Sequence, residues 1–327
     1  MVEINFSPKA SMKRLSKMNL RIALILLSAV TINLVRNVCS SMANGLPTSM
    51  DSTKSDMQIA SLEAEVAPKS VDLRPLLLKW GLDTRVQGHR DTCSVFVVTE
   101  ALEYALASKR QHGARLSVEF LNWAKNQTDH SSNEGGFFSE LWAGFEAHGI
   151  CPEAEMPYQH KFDPALKPSK EAIAHAKEVR SLGLKLHWIK EWDPNKGVNE
   201  KQLAEIKRTL ARRRPVCGGF LWPKSKKVNT NLLKVIPRSK VIDGHSLLLV
   251  GYRDDEKQPG GGVFLFRNTA GRRRDGRMTY EYALTYMNDA IYIDDGGAAD
   301  SGAASPEHAS VWQISMARKI GGVYNLG

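Results

Sequence analysis

The stretch Val86-Gln87-Gly88-His89-Arg90-Asp91-Thr92-Cys93-Ser94-Val95-Phe96 decides how the rest of the chain is read. From Cys93 to Lys109, apolar residues recur at Phe96, Val97, Ala101, Leu102, Ala105 and Leu106, which is a helical period. Cys93 therefore opens a helix. A thiol at that end meets the positive pole of the helix dipole, which lowers its pKa and favours the nucleophilic thiolate. Gln87 lies six residues upstream, next to a flexible Gly88. Its amide NH₂ is a candidate donor to an oxyanion. A nucleophilic cysteine also needs a base and a group that orients the base. His245 opens the apolar run Leu247-Leu248-Leu249-Val250-Gly251-Tyr252, and Asn268 ends the next strand-like run, Val263–Arg267. On neighbouring antiparallel strands the two side chains meet, and the Asn oxygen accepts from the imidazole. A buried cysteine opening an apolar helix is, taken alone, more often core packing than a nucleophile. The weight rests on the four residues together.

Outward from this stretch, the spacing predicts a short helix after Ser117 as N-cap, and another over Phe138–His148 stopped by Gly149. Two more cover about Ser169–Val179 and Glu200–Arg213. Strand character then takes over at Val216–Leu221, Ser246–Tyr252, Val263–Arg267 and Ile291–Ile293. Gly260-Gly261-Gly262 lacks the Lys-Ser/Thr of a phosphate loop and reads as a hairpin turn. Helices in the first half and strands in the second argue α+β with two subdomains and a cleft between them. Asp243-Gly244-His245-Ser246 is not a Ser/His/Asp set, because adjacent residues on a strand point to opposite faces.

The N-terminus reads as an export signal, with Met12 a candidate start. Lys13, Arg14, Lys17 and Arg21 precede a 14-residue apolar stretch, Ile22–Val35, and Ser41-Met42-Ala43 offers a cleavage site. That stretch is short for a membrane span, which needs about 20 residues; an uncleaved single-span anchor is the alternative. Cys39 lacks a lipobox before it. The organisation expected is a signal over 1–43, a spacer or short pro-segment over 44–69, and one globular domain over 70–327. The formal charge of +10 over 327 residues points to nucleic acid only until the signal is removed; the remainder carries +5. Arg212-Arg213-Arg214 and Arg272-Arg273-Arg274 have no interleaved aromatics, so no nucleic-acid partner is expected. No metal or cofactor motif occurs, and Trp188 and Trp222 read as core or rim. Oligomeric state is not legible. Cys151 and Cys217 read as buried small apolar residues rather than a bridge.

Taken together, these segments resemble the papain-like cysteine peptidases, with the look of a divergent bacterial member. Gln87-Gly88 before Cys93 resembles the family's Gln-Gly-x-Cys-Gly-Ser-Cys-Trp. Leu116-Ser117-Val118-Glu119-Phe120-Leu121 resembles its Leu-Ser-x-Gln-x-Leu helix. Glu134-Gly135-Gly136, Gly149-Ile150 and Pro157-Tyr158 resemble its Gly-Gly…Gly-Ile/Leu…Tyr-Pro-Tyr segment, and Arg214-Pro215-Val216 its Gly-Pro-Val. Gly244-His245-Ser246 through Tyr252 resembles its His strand, and Arg267-Asn268-Thr269-Ala270-Gly271 its Lys-Asn-Ser-Trp-Gly. The resemblance covers about Val71–Ile293.

It implies a papain-like two-subdomain fold whose second half is barrel-like and antiparallel. It also implies hydrolysis of a peptide or protein substrate through a thioester acyl-enzyme. Cys93 would be nucleophile, His245 base, Asn268 its orienter, and Gln87 an oxyanion donor. Gly135 and Gly136 would offer backbone groups to an extended substrate. Arg90-Asp91-Thr92 replaces Cys-Gly-Ser, so the usual disulfide anchored there is missing. Ala270 replaces a Trp that shields the His–Asn bond, so a wetter, weaker bond is expected. The segment before Val71 is short for an inhibitory propeptide. These changes motivate an alternative, a catalytically silent module that binds peptides or partners. Acyl transfer to an amine would use the same intermediate. The Pro223–Ile242 insertion is long, basic and just before His245, and whether it overhangs the cleft is not legible in the sequence. A thiolate–imidazolium pair between Cys93 and His245 is the expected resting state.

Overall fold

The computed structural model describes residues 68–225, 229–270 and 275–296. The signal-like segment, nearly all of the spacer and Arg272-Arg273-Arg274 lie outside the described residues. The described residues belong to one compact unit.

Among the described residues, five α-helices come first. After β1 (Ser70–Asp72), α1 (Arg74–Lys79) begins with Pro75 in its first turn, where a missing N–H costs nothing. α2 (Cys93–Arg110) is buried continuously from Ser94 to Ala107, as its nearly all-round apolar sequence requires. It packs against three strands of the sheet and two helices of the first half. α3 (Val118–Asp129) is capped by Ser117, whose Oγ accepts from Phe120 N–H at 2.9 Å. It runs further than the short helix expected because its polar turn is used. Asn122 and Asn126 both donate to the Asn133 carbonyl, at 3.1 and 3.0 Å. α4 (Phe138–His148) and α5 (Lys170–Arg180) complete this half.

The second half is an antiparallel sheet. Its strands are β2 (Lys185–Lys190), β3 (Val216–Pro223), β4 (Val241–Asp254), β5 (Gly262–Arg267), β6 (Asp275–Thr279) and β7 (Met287–Asp294). The order is β2-β7-β3-β4-β5-β6, with β1 added against β4. Helices α6 (Glu200–Ala211) and α7 (Tyr280–Tyr286) pack within this half. β2 and β6 escape the strand pattern because each mixes charged and apolar residues. β4 runs longer than its apolar core, since its first residues pair with the end of β3, Ile242 opposite Trp222. The Gly260 segment is a tight turn between β4 and β5, as expected. One apolar core joins helices and sheet. Cys151 and Cys217 are buried and unbridged.

Residues 229–242, the described part of the insertion nearest His245, dock on the sheet. Leu233 is buried and exchanges backbone bonds with Arg277 and Thr279 of β6, and Tyr286 of α7 donates to the Ile236 carbonyl.

Candidate active site

Cys93 and His245 line one open cleft of about 370 Å³ between the two halves. Residues from both halves form its walls: Gly135, Gly136 and Phe137 on one side, and Gly219, Phe220 and Ser246 on the other. Cys93 occupies the first turn of α2, and its Sγ donates to the Gly244 carbonyl at 3.7 Å. His245 sits on β4 opposite Phe220 of β3. Asn268 follows directly after β5, whose Arg267 pairs with Leu248. That register brings imidazole and amide together: His245 Nε2 donates to Asn268 Oδ1 at 3.0 Å. The same oxygen accepts from Ala270 N–H at 3.0 Å, which fixes the amide. With Nε2 engaged, Nδ1 is the imidazole nitrogen left for a proton from the thiol.

Gln87 is pinned at both ends of its amide. Nε2 donates to the Arg90 carbonyl at 2.8 Å, and Oε1 accepts from Thr269 Oγ1 at 2.7 Å. A backbone bond from Gln87 N–H to the Thr269 carbonyl, 3.0 Å, ties the loop before Cys93 to the loop after Asn268. Gln87 is buried and does not line the cleft, so only its second amide hydrogen is left for an oxyanion.

Gly135 and Gly136 reach the cleft, but their N–H groups are taken. Gly135 N–H donates to Asn122 Oδ1 at 3.0 Å and Gly136 N–H to Ser94 Oγ at 3.2 Å. What this segment offers an extended peptide is its carbonyl oxygens. Gly135 has φ +71°, and a Cβ there would lie 2.6 Å from the Asp91 carbonyl oxygen. Only glycine lets this loop close on the Cys93 loop.

Two residues take places at the site that the sequence reading did not give them, Trp222 having read only as core or rim and Arg90 only as a replaced cysteine. Trp222 of β3 places its ring 4.4 Å from the His245 ring, centroid to centroid, and also touches Phe266. The aromatic cover missing at Ala270 is thus supplied to the imidazole from another strand. Burial is the largest influence on both ionisable groups. It pushes the Cys93 thiol up, against the lowering pull of the Ser246 and Ser94 backbone. It pushes His245 down to about 4, against the Asn268 bond. Burial therefore works against the resting ion pair.

The second is Arg90, where the family has its first cysteine. Its guanidinium forks onto buried Glu119, at 2.6 and 3.1 Å. It also pairs with Glu134, donates to the Gln159 carbonyl at 2.8 Å, and lies over the Tyr158 ring. The cluster joins the loop before Cys93 to α3 and to the Gly135–Gly136 loop. Among the described residues, no group of three or more His, Cys, Asp or Glu side chains is arranged to hold a metal ion, and no helix is long and apolar enough to cross a membrane.

A helix-borne cysteine facing a strand-borne histidine across such a cleft defines a class, and comparison places the chain in it. The model of the papain family of cysteine proteases matches residues 67–280, and the chain belongs to that family. Xylellain, a cysteine protease from Xylella fastidiosa, is similar in fold (TM-score 0.56) at 21% identity, over 72% of this chain and 88% of that one. Digestive procathepsin L 3 from Tenebrio molitor larval midgut matches with TM-score 0.52 at 17% identity, over 89% of this chain and 94% of that one. Among curated sequences none matches significantly.

Proposed function

We propose that the chain is an exported cysteine peptidase that hydrolyses peptide bonds in peptide or protein substrates. The observation that carries this reading is the 3.0 Å bond from His245 Nε2 to Asn268 Oδ1 in a cleft shared with Cys93. In this mechanism the Cys93 thiol proton passes to His245 Nδ1 as sulfur attacks the substrate carbonyl carbon. The resulting oxyanion takes hydrogen bonds from the Cys93 N–H and the second Gln87 amide hydrogen. Collapse breaks the C–N bond, and the leaving amine takes the proton from His245. A thioester remains. Water, deprotonated by His245, attacks it and releases the acid and the thiol. Asn268 keeps the imidazole in the tautomer and plane this needs.

Export rests on residues 1–43 as a cleaved signal, with 44–69 as a spacer; N-terminal sequencing of the protein recovered outside the cytoplasm tests both. Activity rests on Cys93. Iodoacetamide or an epoxysuccinyl probe should modify Cys93 in the folded protein and leave buried Cys151 and Cys217 untouched until unfolding, as read by peptide mass. No Cys93 adduct with the thiol reduced overturns the reading.

A second reading, a silent peptide-binding module, has two observations in its favour. The thiol donates to the Gly244 carbonyl, and the N–H groups of Gly135 and Gly136 are already bonded. A Cys93→Ala protein that keeps its full biological effect supports that reading. Product analysis in the presence of an amine separates hydrolysis from acyl transfer.

A further inference from the structure

A second hollow, of about 480 Å³, shares no lining residue with the cleft that holds Cys93. Strand register builds it. Residues opposite one another on neighbouring strands share a face. One row across β1, β4, β5 and β6 runs Ser70, Arg253, Val263, Thr279, and the next runs Asp72, Gly251, Leu265, Arg277. Both rows therefore look to the same side of the sheet. Gly251 leaves the middle of the second row without a side chain. A Cβ there would lie 2.2 Å from the Val71 carbonyl oxygen, so β1 closes on β4 only because the residue is glycine. Bare backbone and Leu265 form the floor, and Arg74, Arg253 and Arg277 stand around it.

The charges around the hollow do not cancel. Arg74 is spent, since it forks onto Asp72 at 2.8 and 2.6 Å. Asp275 accepts from Thr84 Oγ1 at 3.0 Å, and its charge also supports the charged forms of Arg74 and Arg267. Both carboxylates that line the hollow thus have partners within the protein. Two guanidinium groups do not have theirs. Arg277 gives Nε to the Asn231 carbonyl at 3.0 Å, which leaves its two Nη groups. Arg253 is exposed and, among the described residues, its guanidinium meets no acceptor.

Arg253 and Arg277 stand two strands and two residues apart, roughly 12 Å between Cα atoms. A guanidinium fork takes one carboxylate through two parallel hydrogen bonds. Two forks so spaced suit two carboxylates of one segment better than a single small anion, and Leu265 between them takes the methylene stems of the acids. We infer that this hollow binds an acidic polypeptide segment, with one carboxylate on Arg253 and a second on Arg277. The inference stands apart from the peptidase reading and does not require Cys93 to react.

The test uses the full chain carrying Cys93→Ala, so that no probe is cut. Fluorescently labelled Gly/Ser peptides carry two Glu at a series of spacings, and the same peptides with Gln or Lys in their place are the controls. Anisotropy at low ionic strength, where exposed charges are least screened, gives each affinity. One Glu spacing should bind about tenfold more tightly than its Gln counterpart, with the Lys peptide weakest. Arg253→Ser and Arg277→Ser should each remove about threefold, and the double variant the whole advantage. With no partner to lose among the described residues, Arg253→Ser leaves the fold intact and serves if the Arg277 variant does not fold. Arg208→Ser removes the same charge from α6 and should change nothing. Equal binding of the Glu and Gln peptides, an advantage that survives Arg253→Ser undiminished, or an equal loss in Arg208→Ser overturns the inference. Inorganic phosphate is the competing small anion: if it displaces the peptide at concentrations no higher than the peptide's own Kd, the assignment to a polypeptide is overturned. Turnover by the unmutated chain is read separately, and neither result decides the other.

Discussion

His245 is held between two opposing influences, and each has its own substitution. The Asn268 bond stabilises the protonated imidazole, while burial destabilises it and sets its pKa at about 4. Asn268→Ala removes the stabilising partner, so the pKa falls further. The acid limb of kcat/KM should move to lower pH, with a rate loss of about tenfold from the lost orientation. Trp222→Ala opens the ring face to water and weakens the burial that depresses the group. The acid limb should then move to higher pH, toward the ordinary 6.5 of the imidazole. Trp222→Phe should restore most of it, which a merely structural role for Trp222 would not give. A pH–rate series on one reporter peptide reads both shifts, and limbs moving in the same direction would contradict this account. The roles proposed for Cys93, His245 and Asn268 were legible because their helix and strands announce themselves in the apolar pattern. Trp222 was not, since it meets His245 through a β3–β4 pairing whose register shifts between Phe220 and Trp222.

At the scale of elements, the loop before Cys93 owes its place to Arg90. Glu119 on α3 is buried at one end of the fork, and Glu134 stands beside Gly135 at the other. Arg90→Met would leave Glu119 buried with the Gln159 N–H but without its cation. Breaking a buried pair from one side costs about 3–5 kcal/mol. Urea unfolding should show a loss of that order, whereas the double change Arg90→Met with Glu119→Leu should recover much of it. Arg90's partners lie 29 and 44 residues away, so its sequence neighbourhood says nothing of them. The same distance explains other silences. β7 reads only as Ile291–Ile293, the apolar end of its Met287–Asp294 span. β2 and β6 pair correctly in space but carry too many charges to read as strands.

Across the molecule, one buried acid stands out. Glu100 lies on α2 with both carboxylate oxygens buried and without a hydrogen bond. Burial raises it to about 7, though the charges of Arg267 and Arg85 pull the other way. Its ordinary value is 4.5, so between pH 4.5 and 7 the unfolded chain releases this proton while the folded chain keeps it. Stability therefore falls as pH rises through that window, by on the order of 3 kcal/mol in all. Glu100→Gln mimics the protonated acid. Its melting curve should match the parent's near pH 4, relative to any fixed offset, and gain on it above pH 7. Parallel curves at both pH values would show that Glu100 titrates as an ordinary carboxylate. The division into a helical first half and a stranded second half was legible throughout. The polar anchors between the halves were not, because each is a pairing of residues distant in sequence.

Held by charge and not by a disulfide, the loop that presents Cys93 matures without an oxidant. No disulfide-forming enzyme has work to do there. A peptidase of this kind needs its nucleophilic thiol reduced, and conditions that ensure this ordinarily threaten a neighbouring disulfide. Here the two demands are separate. The Arg90–Glu119–Glu134 clamp has no reduction potential, so a reductant that keeps Cys93 as a thiol leaves the scaffold around it intact.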